Sequence, residues 1–404
     1  MSENSTTYVG LDTSKKSIQV AMLRPGCQEP LEWETANEPR AVRRLAKRLK
    51  RDAVGTLQVC YEAGPCGYVL QRQLGEAGVK CMVIAPSLVP VKPGERIKTN
   101  RRDARKLAQM LRAGALTEVH PPTPEEEAVR DLCRCLEDAK EDLNRARHRL
   151  GKMGLRRGFS YQGTAWTQGH RQWLRGLTFE HEADRVVFSD YLYAIEQLEE
   201  RCRGLEEKLV VLSQQDPYLQ PIGWLRCFRG IDTVTAMTLM AELHDFRRFE
   251  SPRDLMGYLG LVPSERSTGE SHRRGGITKT GNSHARRVLI EAAWNCRHRP
   301  GVSARLRKRR AEQPGWVISI ADRAQARLHR RYWHLVLRGK PHNKAVAAVA
   351  RELVGFIWAA MCLRENTSTE AGRDRVGTTK EEGTRGQGSK EQRTERRNGR
   401  RVAA

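Results

Sequence analysis

The residues best suited to chemistry sit between Leu259 and Asn282, in the stretch LGLVPSERSTGESHRRGGITKTGN. It gathers hydroxyls, among them Ser267 and Thr268, with a run of cationic and imidazole side chains and a Gly-Gly turn. Large apolar residues are scarce after Val262. Helical patterns flank it, and a polar connection of this length between helices is more often functional than idle. Two readings stand on this segment alone. One is an exposed basic loop. The other is a loop that offers a hydroxyl nucleophile together with groups that hold phosphate.

A second set of chemical residues lies far upstream. Asp12 ends an apolar strand pattern, TYVGLD, and Glu62 ends another, TLQVCYEA. Carboxylates at strand ends of an α/β sheet point into the crevice where ligands bind. Asp103 follows in KTNRRDARKLA, on a helical pattern. Each acid alone has a plain structural use, as a turn cap, an arginine partner or a solvated helix face. Together they form a set of hard oxygen donors of the kind that binds Mg²⁺, and two such ions can clamp the attacking and leaving oxygens of a phosphodiester.

The elements that would position these groups follow from periodicity. Strands are expected over residues 7–23 (as a pair), 31–35, 56–63 and 80–85, with helices over 39–50, from Tyr68, and over 100–113. This is an α/β domain of residues 1–124. Pro121, Pro122 and Pro124 mark a linker. Beyond it, apolar residues at near-heptad spacing predict two long helices, 125–150 and 180–212. They form an antiparallel pair or a coiled coil with a partner chain, in a region spanning 125–215. The segment between them is rich in Gly, Arg and aromatics (Tyr161, Trp166, Trp173), which suits either a packed tip or a stacking surface for nucleic acid.

A mainly α-helical domain follows over 216–365. At its start a helix, a tight turn at Arg229-Gly230-Ile231-Asp232 and a second helix resemble a helix-hairpin-helix, whose turn offers backbone N–H groups to a DNA phosphate. The alternative is a plain αα-hairpin. Residues 366–404 have almost no apolar side chains and read as a disordered basic tail.

Composition narrows the partners. The chain has 404 residues, 72 Lys+Arg against 48 Asp+Glu, and a net charge of +24. Such an excess attracts a polyanion, most simply nucleic acid. No run approaches 18 consecutive apolar residues and no signal peptide is evident, so a membrane partner is not expected. The ten cysteines include no CxxC pair and read as reduced thiols of a cytoplasmic protein.

Five motifs in order, VGLDTSKKSIQVAM, YEAGPCGYVL, KTNRRDARKLAQMLRAG, RGIDTVTA and GLVPSERSTGESHRRGGITKTGN, resemble the DEDD-type insertion-sequence transposases of the "IS one-ten" family, RNA-guided bridge recombinases. The resemblance covers nearly all of residues 7–365. It implies a RuvC-like (RNase H fold) N-terminal domain with four acids, a coiled coil, and a C-terminal transposase domain with a serine nucleophile. Asp12, Glu62 and Asp103 match three of the acids, and Asn100 stands where the other is expected. The family serine precedes a glycine; here Thr268 precedes Gly269 and Ser267 comes one earlier, so the nucleophile is one of these two.

The resemblance further implies Mg²⁺, phosphate contacts from Arg273, Arg274 and Lys279, double-stranded DNA as substrate, a structured guide RNA and a homo-oligomer in a prokaryotic, nucleoid-associated setting. The alternatives are a Holliday-junction-type nuclease that uses metal-activated water, and an inactive or co-opted nucleic-acid-binding copy.

Overall fold

The computed structural model describes residues 5–86, 89, 99–268 and 271–362. The tail expected from Asn366 lies outside the described residues. Strands β1 (Thr6–Thr13), β2 (Ser17–Leu23) and β3 (Leu31–Ala36) pair antiparallel. β4 (Thr56–Glu62) joins β1 in parallel and β5 (Cys81–Ile84) joins β4. The order across the sheet is β3-β2-β1-β4-β5.

Alternation along the strands assigns the two faces. Val9, Leu11, Val59 and Tyr61 face one side. There α1 (Pro39–Asp52) and α2 (Val69–Glu76) bury Val42, Leu45, Leu70 and Leu74 against them. Gly10 and Cys60 face the other side, which α3 (Asn100–Arg112) covers with Ala104, Leu107, Ala108 and Leu111. The approach of α3 is close because position 10 has no side chain. A Cβ there would lie 2.2 Å from the Ala104 carbonyl oxygen and 2.5 Å from the Ala108 nitrogen.

Charge pairs fix the helix along and around its axis. Arg112, in the last turn, donates to the Cys27 carbonyl oxygen at 3.0 Å, between β2 and β3. Arg101 and Arg105 both hold Glu32 on β3, whose side chain is only 7% exposed. Burial pushes the Glu32 carboxyl up, but hydrogen bonds from Arg105 and Arg101 outweigh it and hold the group below its ordinary range. The first turn of α3 therefore lies at the end of β1 that carries Asp12.

Beyond the proline linker, Thr123 opens α4 (Pro124–Arg156) with a capping box: its hydroxyl accepts the Glu126 N–H, and the Glu126 carboxylate accepts the Thr123 N–H. The return helix is α6 (Glu182–Leu212). Leu136, Leu143 and Leu150 on α4 and Phe188, Ile195, Cys202 and Leu209 on α6 recur every seven residues and are buried in a common core. Ion pairs Arg157–Asp184, Arg147–Glu199 and Lys140–Glu206 descend one helix as they ascend the other, so the pair is antiparallel. The sequence left open whether these helices meet a partner chain; here they meet each other. The tip between them carries α5 (Gln168–Arg175), where Tyr161, Trp166 and Trp173 pack around the buried ring of His170.

The rest is helical: α7 (Leu219–Leu225), α8 (Thr233–Leu243), α9 (Pro252–Tyr258), α10 (Ser283–Ala293), α11 (Ala304–Arg310), α12 (Gly315–Leu337) and α13 (His342–Cys362). By length and composition α13 could cross a membrane. In the fold it is a core helix, packing on α9, α10 and α12 with Val346, Val349, Leu353 and Ile357 buried. All ten cysteines are free thiols.

The stretch read as a loop is instead a β-hairpin, β6 (Pro263–Thr268) and β7 (Ser271–Ile277). Gly275 and Gly276, read as its turn, lie inside β7. Thr268 and Ser271 are register partners, so the two strands pair along their length to these residues. The strands went unread because the ribbon is polar on both faces, so the apolar alternation that marks a half-buried strand is missing.

Replacing Gly10 by alanine is expected to push α3 off β1 and lower unfolding free energy by about 2 kcal/mol or more. Urea denaturation reads this directly, and a Gly10→Ala protein as stable as the parent would show that α3 does not depend on the bare backbone at this strand.

Candidate active site

The sheet places Asp12 and Glu62 side by side. β1 and β4 are parallel with Leu11 opposite Tyr61, and the two acids are the next residues on each strand. Both follow Gly10 and Cys60 by two, so both belong to the face covered by α3. On α3, Asn100, Asp103 and Leu107 are spaced by three and four and share one side, and Leu107 packs on Cys60. The first turn of α3 therefore directs Asp103 and Asn100 towards the strand ends of Asp12 and Glu62.

All four residues offer oxygen donors, the chemistry a hard divalent cation requires. Among the described residues, however, no three His, Cys, Asp or Glu side chains are gathered closely enough to hold a metal ion. The fold brings Asp12 and Glu62 to one edge of the sheet, on adjacent strands.

The candidate nucleophiles stand on the hairpin. Ser267 and Thr268 are both exposed. Because they are consecutive in a strand, they project to opposite faces of the ribbon. Ser267 shares its face with Glu265, two residues earlier, and with Arg274, the register partner of Glu265. The Ser267 hydroxyl donates to Glu265 Oε1 at 2.8 Å, and Arg274 Nε lies 3.5 Å from Glu265 Oε2. Thr268 and Arg273 belong to the other face. Glu265 was missed in the sequence. Its i, i+2 relation to Ser267 has meaning only once the segment is a strand.

The base of the hairpin is held rigidly. Gly281 adopts a left-handed backbone (φ +67), and a Cβ there would stand 1.9 Å from the Tyr258 carbonyl oxygen. Arg286 on α10 donates to the carbonyl oxygens of Leu259 (2.9 Å) and Thr280 (2.8 Å), one on each side of the base. Lys279 is exposed, and its N–H closes onto the Gly260 carbonyl oxygen at 3.1 Å. Asn282 then caps α10 through the Ala285 N–H (2.9 Å), and its amide donates to Glu242 Oε2 at 2.6 Å.

Glu242, on α8, is 3% exposed and takes a two-pronged hydrogen bond from Arg134 of α4 at 2.8 and 2.9 Å. Next to it, Glu137 of α4 is held by His284 and Arg287 of α10, each at 2.7 Å.

At the turn before α8, Arg229 and Gly230 are engaged within the protein. Arg229 donates to the Arg299 carbonyl oxygen at 2.7 Å. A Cβ on Gly230 would lie 2.5 Å from the Ala292 carbonyl oxygen of α10, so this glycine permits a close helix contact. The Asp232 carboxylate itself caps α8, accepting the Thr235 N–H at 2.8 Å.

A sheet edge bearing carboxylates and a hydroxyl-bearing basic hairpin are the chemical features of this fold, and similarity to known sequences gives its family. Residues 9–155 match the IS110-type DEDD transposase family model, and residues 224–308 match the model described as the transposase IS116/IS110/IS902 family. The chain is 40% identical over 365 residues to the Sinorhizobium fredii protein y4qE, whose name describes a transposase; the match covers 89% of this chain and 90% of that one. It is 34% identical over 336 residues to the transposase for insertion sequence element IS1533 of Leptospira borgpetersenii, covering 81% of this chain and 96% of that one. The chain belongs to the IS110 family of insertion-sequence transposases.

The buried acids predict how the hairpin base responds to pH. Burial raises the Glu242 carboxyl, but hydrogen bonds from Arg134 and Asn282 outweigh this and leave it below its ordinary range. Glu137 is lowered in the same way, with Arg287 and His284 outweighing burial. Carboxyls depressed by folding stabilise the protein above their unfolded value of about 4.3, and that contribution disappears as pH falls through their folded values. Urea midpoints are thus expected to fall as pH drops below about 4, with a weaker acid dependence in Glu242→Gln. Arg134→Met, which leaves the Glu242 charge buried without its partner, is expected to cost about 3–5 kcal/mol at neutral pH. An Arg134→Met protein of parental stability would remove this network from the account.

Proposed function

We propose that this transposase catalyses excision and insertion of an insertion-sequence element by DNA cleavage and strand exchange, with Ser267 as the nucleophile. The observation that carries this reading is the hydrogen bond from Ser267 to Glu265. A serine hydroxyl is a weak nucleophile at neutral pH and needs an adjacent base. Glu265 is within reach to take its proton, and Arg274 opposite stabilises the charge on Glu265 beforehand.

In this mechanism the Ser267 oxygen bonds to phosphorus, its proton passes to Glu265, and the bond from phosphorus to the 3′-oxygen breaks. The protein is left linked to the DNA 5′-phosphate, and the departing 3′-oxygen takes a proton from solvent. Reversal on a second strand end, with the 3′-hydroxyl attacking the phosphoserine, completes exchange and restores the serine. Arg273 and Lys279, both exposed, hold flanking phosphates. Thr268, on the opposite face of the ribbon, is not needed as a nucleophile, so its place before Gly269 does not disable the enzyme.

Asp12, Glu62 and Asp103, with the Asn100 amide, would hold Mg²⁺, which supplies positive charge for the non-bridging and leaving oxygens when bound. The order β3-β2-β1-β4-β5 with α3 across one face supports a RuvC-like domain, and the heptad-spaced α4–α6 pair supports a coiled-coil region. The reading places the protein in the cytoplasm at the nucleoid, as a homo-oligomer whose composite site joins one hairpin to one carboxylate edge. Its charge of +24 suits both duplex DNA and a structured guide RNA.

Ser267→Ala is expected to lower formation of a denaturant-resistant protein–DNA adduct by about 10³-fold or more, and Glu265→Gln by about 10²-fold or more. Thr268→Ala should stay within about tenfold of the parent, and Asp103→Ala should abolish cleavage. Undiminished adducts in Ser267→Ala would transfer the role to Thr268. Cleavage without any adduct would favour a nuclease that uses water.

A further inference from the structure

The turn before α8 uses Arg229, Gly230 and Asp232 internally, yet strong positive charge collects beside it. α11 has the sequence ARLRKRR. Leu306 and Arg310 are buried, and Arg310 pairs with Asp322 at 2.8 Å. Arg305, Lys308 and Arg309, spaced by three and four, form a separate stripe that lines a cavity of about 630 Å³ between α11, α8, α10 and the α4–α6 pair. Arg226, at the end of α7, lines it too. An adjoining cavity of about 660 Å³ is lined by Arg229, Arg305 and Arg309.

The acids around this space are committed elsewhere. Glu137 is held by His284 and Arg287, Glu291 by Arg287, Glu206 by Lys140, and Asp232 caps α8. Among the described residues, no salt bridge joins Arg226, Arg305, Lys308 or Arg309 to a carboxylate. The Nε atoms of Arg226 and Arg309 are buried without a hydrogen-bond partner. Arg309 Nη1 donates to the Ile231 carbonyl oxygen at 2.6 Å, which fixes its guanidinium at the cavity wall.

Like charges at this spacing repel one another and destabilise a helix unless an anion is to meet them. Three guanidinium forks and an ammonium on one concave surface are matched to a phosphate bearing two charged or partly charged oxygens.

We propose that the notch formed by Arg226, Arg305, Lys308 and Arg309 binds a phosphodiester of a nucleic-acid backbone, at a site separate from the hairpin and the carboxylate edge. It anchors the nucleic acid without touching the scissile bond. The low-dielectric wall behind Arg309 strengthens the contact, and burial, with repulsion from Arg226 and Arg305, lowers the Arg309 guanidinium pKa, as expected where positive potential concentrates.

The test is equilibrium binding in the absence of cleavage, so it does not depend on which hydroxyl is the nucleophile. Full-length protein is titrated into two labelled probes, a duplex carrying an element end and a stem-loop RNA of equal length, across a range of salt. Arg305→Ala is compared with Arg307→Ala, an equal charge change on the same helix that does not line the cavity. Both residues are exposed, so thermal unfolding should match the parent.

Arg305→Ala is expected to weaken binding roughly tenfold at physiological salt and to reduce the salt slope by about one, while Arg307→Ala does neither. Loss confined to the duplex assigns the notch to DNA, and loss confined to the stem-loop assigns it to RNA. Equal loss from Arg305→Ala and Arg307→Ala, or an unchanged slope in Arg305→Ala, overturns the proposal.

Discussion

The hairpin that carries the hydroxyls depends on one buried charge. Glu242 sits on α8 with almost no solvent contact, and it is met by Arg134 from α4 and Asn282 from the hairpin base. A carboxylate in that position is tolerable only when both partners are present. The network therefore specifies geometry more than it adds stability. It sets the long helix pair, the helical core and the start of α10 in one relation, and a polar ribbon with no apolar face of its own inherits that relation. Arg286, spanning the two sides of the base, carries the same constraint one step closer to Ser267.

The carboxylate edge is built on the opposite logic. There the constraint is an absence of side chain at Gly10, which lets α3 rest on the strand backbone. Ala104 and Ala108 keep the contact close, and Glu32 holds the helix against rotation through Arg101 and Arg105. One site member is thus fixed by steric contact and the other by a buried ionic network. The hydroxyls thus stand on a solvent-exposed ribbon, and the acids stand at the edge of a sheet braced by a helix.

Much of this was legible in the sequence where burial leaves a period. The apolar runs that end in Asp12 and Glu62 gave the strands, and the apolar spacing of Leu107, Met110 and Leu111 gave the helix that faces them. The heptads gave α4 and α6, though spacing alone does not say whether the complementary helix lies in the same chain. The hairpin was hidden because neither face is buried, and Glu265 was hidden with it. Gly230 was visible as part of a tight turn, but a sequence does not show what approaches it. The backbone of α10 does so. Arg305, Lys308 and Arg309 stand in the basic sequence ARLRKRR, and only the fold separates them from Arg307 and Arg310.

The central claim is that Ser267, activated by Glu265, becomes bonded to DNA. It is tested most directly by trapping the adduct on a nicked element-end substrate, digesting the DNA and protein, and locating the remaining phosphonucleotide by mass spectrometry. The account predicts a single modified peptide with the phosphate ester on Ser267. An ester on Thr268, or cleaved DNA with no modified peptide, would contradict it.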